Sequence, residues 1–161
     1  MPEPLREQAL AALVTRLQTM TGVRPGFGAS YPNTVRVERV FLEPQTVTQF
    51  PYLCVLETSL NGQGSSLDVE VTAGGMVGVR HDLKILLIGF VGATPTVLAA
   101  TWRQRLWDDC VRTIFASNTL GGLVRKIEFD RQAEPDSLGR DPVDVFYQPL
   151  TIIFDETFTT D

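Results

Sequence analysis

Leu98, Trp102, Leu106, Cys110 and Ile114 stand four residues apart, with Val111 and Phe115 beside the last two. Residues at this spacing share one face of a helix. A helix with a single apolar stripe must bury it against another layer. A layer for it is close at hand: Asp82 to Val91 (DLKILLIGFV) is the most apolar strand-like run and is expected at the centre of a sheet. Helix on sheet is therefore the least that this chain can form.

The other segments extend that plan. Pro4 suits the first turn of a helix, where its missing N–H costs nothing. From there Leu5, Leu10, Leu13, Val14, Leu17 and Met20 recur at spacings of three to five, which predicts an amphipathic helix over 4–20 with Gly22 as its stop. Thr94-Pro95 reads as the N-cap and first turn of the second helix. Arg24 to Asn33 holds two glycines and two prolines in ten residues and reads as a loop.

Strands are predicted where period-two alternation appears. Val35, Val37 and Val40 alternate with Arg36, Glu38 and Arg39, and Tyr52 to Ser59 is rich in β-formers. Leu67, Val69 and Val71 alternate with Asp68, Glu70 and Thr72, and Gly74-Gly75 can turn that segment into Met76–Val79. This predicts a protruding β-hairpin arm with one face wet or covered by another subunit. Gly121-Gly122 separates the second helix from a strand over Leu123–Asp130. Arg131 to Pro142 reads as a polar loop, with Pro135, Gly139 and Pro142, and loops of this length are usually functional or mobile. In the last strand, Val143 to Phe158, Pro149 predicts a bend or an edge position. No repeat or linker divides the chain. The expected fold is α+β: a mixed, mostly antiparallel sheet packed by two helices, with a hairpin arm, in one domain over 1–161.

Charge and cysteine content narrow the function. Acidic residues outnumber basic ones 19 to 14, a formal charge of −5, which disfavours nonspecific coating of nucleic acid because that binding runs on cationic phosphate contacts. Cys54 and Cys110 sit in apolar stretches outside any C-x-x-C pair and are expected as buried reduced thiols. Glu3, Arg6, Glu7 and Arg16 interrupt the apolar pattern of the first twenty residues, unlike a signal peptide. Ile85 to Leu98 is too short to span a bilayer, so no membrane association is expected. Folding in a reducing cytoplasm is the expectation.

Candidate chemistry is sparse. The single histidine, His81, precedes Asp82, and neighbours on a strand face opposite sides, so they make no dyad. One His and two distant Cys make a poor zinc set. Gly26-Phe27-Gly28 and Gly62-Gln63-Gly64 resemble fragments of phosphate loops but lack the Lys-Ser/Thr that follows in a P-loop. Asp108-Asp109 lies within the second helix without an acid at i+3 or i+4, so it reads as a solvated or subunit-facing side. Asp141 and Asp144 after Arg140 read as a salt-bridged turn. No nucleophile, base and orienter can be assembled, so no catalytic residue, metal or cofactor is expected. A small metal-dependent enzyme using Asp82, Asp108 or Asp109 is the reading from another class.

Two features point to association. The cations are 12 Arg against 2 Lys, Lys84 and Lys126, and arginine is enriched at interfaces while lysine is depleted. A GC-rich coding bias gives the same ratio. Of the two tryptophans, Trp102 and Trp107, one can fill the core and the other is a candidate interface anchor.

The order of elements brings a resemblance. An amphipathic helix (LREQALAALVTRL, Leu5–Leu17) leads. The middle strand (HDLKILLIGFV, His81–Val91) and the Trp-bearing helix (LAATWRQRLWDDCVRTIF, Leu98–Phe115) follow, and a strand with an acidic, Thr-rich tail (FYQPLTIIFDETFTTD, Phe146–Asp161) closes the chain. This resembles the tail terminator and neck proteins of long-tailed bacteriophages, which include minor tail and tail-completion proteins. The resemblance implies a structural virion protein, assembled in the host cytoplasm. It would form a ring, typically six-fold, that caps the tail tube, stops its growth and meets the head connector at the head–tail junction. Its partners would be further copies of itself, the tail tube protein and the connector, with genomic DNA passing an acidic lumen without specific binding. Candidate contacts are Leu67, Val69, Val71, Met76 and Val79 of the arm, Trp107, and Arg131 and Arg140 of the polar loop. A tube, baseplate or head-completion subunit is the neighbouring alternative.

Overall fold

The structure, a computed structural model, describes residues 3–20, 31, 34–43, 46–58, 65–72, 76–136 and 143–159. Seven strands form one sheet: β1 (Arg36–Glu38), β2 (Tyr52–Leu56), β3 (Ser66–Thr72), β4 (Met76–Gly92), β5 (Lys126–Phe129), β6 (Glu134–Asp136) and β7 (Val143–Thr159). Two helices, α1 (Leu5–Leu17) and α2 (Ala99–Phe115), complete the α+β fold. The strand order is β1-β2-β4-β7-β5, with β3 also on β4 and β6 also on β7. Every pairing is antiparallel except β1 with β2.

Residue parity along β4 decides which layer each side chain joins. Leu83, Ile85, Leu87 and Val91 face the helices, where Leu10, Leu13 and Leu17 of α1 and Trp102, Leu106, Cys110 and Ile114 of α2 meet them. Leu86, Ile88 and Phe90 point the other way, into a smaller cluster with Val47, Tyr52, Cys54 and Val145. Burial on both faces is why this stretch reads as a continuous apolar run and not as alternation. The two cysteines are free and buried in different clusters on opposite sides of the sheet.

Several predicted boundaries move, each for a local reason. The first helix ends at Leu17, and Thr19 and Met20 donate to the carbonyls of Arg16 and Leu17 in a tighter turn. Thr94-Pro95 does not open α2. The Val97 N–H bonds the Thr94 hydroxyl at 3.1 Å in a separate turn, and the helix starts at Ala99 with Leu98 73% exposed at its cap. Met76–Val79 and Asp82–Val91, read as separate segments, belong to one strand, β4, of 17 residues. Leu120, Gly121 and Gly122 all take positive φ (49°, 73° and 89°), a left-handed turn at the glycine pair that separates α2 from β5. The loop expected from Arg131 contains strand β6, and residues 137–142 lie outside the described residues.

Pro149 sits inside β7, at neither a bend nor an outer edge. It pairs with Leu86 of β4 on one side. Its carbonyl accepts from Asp130 on the other side, at the end of β5. β5 reaches only to Leu150 and β6 only to Tyr147, so the missing N–H falls in the gap between these two short strands.

The predicted hairpin arm takes another form. β3 pairs with the first half of β4, but β7 runs along the opposite side of β4 over the same stretch. Residues 76–82 and 155–159 carry no buried side chain, so the sheet continues as a three-stranded ribbon past the cover of the helices. Residues 73–75 lie outside the described residues, as do Gly22, Arg24 to Ser30, Gly62-Gln63-Gly64 and Asp141.

Candidate assembly surfaces

Cross-strand partners share a face, so the ladders assign every side chain of the ribbon to a side. On the helix-covered side, Leu67, His81 and Phe154 form one row, Val69, Val79 and Glu156 the next, and Val77 and Phe158 follow. Phe154 is fully buried, whereas Leu67 (58%), Val69 (56%) and Phe158 (47%) are exposed and Val77 and Val79 half-buried. The apolar face that the helices cover thus runs on uncovered. The His81 ring lies flat on Phe154 with centroids 4.5 Å apart, and its Nε2 is 3.1 Å from Glu156 Oε2. His81 therefore closes the covered core where the open stripe begins.

The other side of the ribbon is polar. Asp68, Arg80 and Asp155 share a row; Arg80 pairs with Asp82 at 3.2 Å and Asp155 with Arg125 at 4.0 Å. Met76, 44% exposed, lies on this side, apart from Leu67, Val69 and Val79. Val71 is a β3 residue whose side chain is outside the description.

Among the described residues four strands, β1, β3, β5 and β6, each pair on one side only. β3 pairs only with β4, and β5, at the opposite margin, only with β7. The β5 edge adjoins a second apolar pair, exposed Phe115 and half-buried Phe129, with rings 5.1 Å apart. Both lysines border it: Lys126 pairs with Glu128, and Lys84 donates to the Thr151 hydroxyl at 2.8 Å and lies 3.5 Å from Asp130.

Trp107 is half-buried. Its indole N–H donates to Gln148 Oε1 at 2.7 Å, and the Gln148 amide donates to the carbonyls of Arg131 and Pro149. Beside it a cavity of about 140 Å³ is lined by Arg103, Trp107, Ala133, Pro135 and Phe146. Arg131 is exposed and pairs with Glu134 at 3.2 Å; Arg140 lies outside the described residues. Asp144, read from sequence as part of a local turn, is buried and bound to Arg103 of α2 at 2.6 Å. Asp108 pairs with Arg112, and Asp109 accepts from the Tyr31 hydroxyl.

The structure brings Leu67, Val69 and Val79 together and leaves Met76, Trp107 and Arg131 elsewhere. Sequence reading missed Phe115 and Phe158 as surface residues, because each ends an element whose apolar pattern is otherwise buried. Among the described residues, no three His, Cys, Asp or Glu side chains converge as a metal site, and no helix is long and apolar enough to cross a membrane. An exposed apolar stripe beside an open strand edge is chemistry for holding protein. Neither family models nor curated proteins gave a match to the chain.

Proposed function

We propose that this chain is a structural ring subunit that caps a phage tail tube, ends its growth and joins it to the head connector. The observation that carries this reading is the uncovered continuation of the helix-packed sheet face through Leu67, Val69, Val77, Val79 and Phe158. An apolar face left open on a folded chain favours association, and a head-to-tail contact that closes on itself makes a ring. The formal charge of −5 fits a lumen that lets DNA slide without phosphate contacts.

The test is negative-stain imaging with light-scattering mass over a wide concentration range, followed by addition to growing tail tubes. Rings of one height that arrest tube growth are the expected result. Val69→Asp with Leu67→Asp should leave a folded monomer. Long tubes would move the assignment to a tube subunit, and a monomer that binds no tube end would overturn it.

A further inference from the structure

We propose that neighbouring copies join β1 of one to β5 of the next in antiparallel register, with Val37 opposite Ile127, so that one sheet crosses each boundary. The inference rests on the ring reading and adds the two margins that meet. β1 and β5 end the strand order β1-β2-β4-β7-β5, and each pairs on one side only among the described residues. β1 runs parallel to β2, and three antiparallel steps then lead to β5, so the two ends run in opposite directions. A copy related by rotation about an axis along the strands therefore presents β1 antiparallel to β5, head to tail.

Backbone, faces and charge select the same register. The Arg36 N–H donates to the Pro51 carbonyl and the Asp130 N–H to the Pro149 carbonyl. By alternation, Arg36 and Glu38 turn their backbone groups toward β2, and Lys126 and Glu128 turn theirs toward β7. Val37 and Ile127, between them, turn theirs outward, and set opposite each other they can exchange two hydrogen bonds. The Val37 carbonyl holds only a long contact, 3.4 Å, from the amide of exposed Gln18. Both Val37 and Ile127 belong to the helix-side core, so the faces agree. On the other face Glu38 then meets Lys126 and Arg36 meets Glu128, at the non-hydrogen-bonded positions where side chains lie nearest. Arg36 already pairs with Glu38 and Lys126 with Glu128, so the four charges alternate in sign.

The other open margins fit less well. β3 (SLDVEVT) and β6 (EPD) carry acids and no cation for Glu128. β1 or β5 set against its own copy closes a two-fold dimer and not a ring. Just past the ladder Arg39 would approach Arg125, but Arg39 is held by Glu7 and Glu57 and Arg125 by Asp155. The neighbour's chain then runs on toward the ribbon, bringing exposed Val40 and Phe41 to the margin that carries Phe158. The stagger also fits. Val37 lies level with Phe146 of β7 and Ile127 with Ile152, six residues apart. That is about 20 Å along the strands against about 24 Å across five of them. It corresponds to a strand tilt of roughly 40°, inside the range found in closed sheets.

The experiment is a charge exchange. Glu128→Arg and Arg36→Glu change exposed side chains, so circular dichroism and Tm should stay near wild-type values. Glu128→Arg alone places like charges at every boundary and should raise the midpoint concentration for assembly about tenfold or more. The double variant Arg36→Glu with Glu128→Arg restores opposite charges at every boundary and should return the midpoint to within about twofold of the wild type. A single variant that assembles like the wild type, or a double variant as weak as the single one, would overturn the edge pairing while leaving the ring. A wild-type chain that never assembles would overturn the ring reading and this inference with it.

Discussion

The ring of Phe146 lies across the backbone of Gly89, its partner on the neighbouring strand, with Cε1 2.2 Å from where a β-carbon on Gly89 would stand. Phe146 is 1% exposed and belongs to the helix-side core, so the ring takes the place of the absent side chain. Gly89→Ala should destabilise the fold by about 1–3 kcal/mol through overpacking. Urea denaturation is the measurement. Adding Phe146→Leu should recover part of the loss, because a smaller side chain leaves room for the methyl group.

Arg103 and Asp144 form a mostly buried ion pair between α2 and β7, with side chains 20% and 6% exposed. Arg103→Met leaves a buried carboxylate short of its cation and should cost about 3–5 kcal/mol. In Arg103→Met with Asp144→Leu the loss should be well below the sum of the single variants. A double-mutant cycle in chemical denaturation measures the coupling.

Tyr52, Glu38 and Arg36 give stability a limit at each end of the pH scale. The Tyr52 hydroxyl donates to Glu38, and Arg36 pairs with the same carboxylate at 2.7 Å. Burial, then the Glu38 hydrogen bond, pushes the Tyr52 phenol up to about 12. Its neutral form is favoured in the fold, so that stabilisation is complete below the ordinary value of about 10 and is lost as pH rises toward 12. Glu38 is held below the usual carboxylate range, first by the Tyr52 hydroxyl and then by Arg36. Its contribution is present above that range and disappears as pH falls through the lowered value. Tyr52→Phe should flatten the alkaline decline in urea midpoint between pH 10 and 12.

Both thiols should be silent in the folded protein. Burial pushes Cys54 up to about 11, and it pushes Cys110 higher still. The thiolate is the reactive form. A disulfide reagent at pH 8 should therefore label neither until denaturant is added, and then should label both. Prompt labelling of one thiol in buffer would contradict the burial described for it.

Local patterns in the sequence revealed the elements whose partners are uniform. The four-residue spacing from Trp102 to Ile114 marks a helix because all four residues meet one sheet face. Asp82 to Val91 marks a central strand because both of its faces are filled. Where a residue's partner comes from far along the chain, that legibility stops. His81 and Asp82 showed only that they face opposite sides of a strand; their partners, Phe154 for His81 and Arg80 for Asp82, came into view only in the fold. Asp144 looked like part of a turn because its cation stands 41 residues away. Leu67, Val69 and Val79 were visible as one side of an alternating pattern. That Phe158 joins them depends on the register of β7 against β4, which no window of sequence shows.

That register has a mechanical consequence. β4 and β7 stay paired without interruption from Gly92 and Val143 to Met76 and Thr159, through the helix-covered core and out to the far end of the ribbon. No loop separates the two halves, so there is no joint at which they could reorient. A twist applied near Phe158 travels along two continuous strands to the layer beneath α2. Whatever grips the ribbon thereby also sets the attitude of the helices at the other end, as a handle sets the angle of its blade.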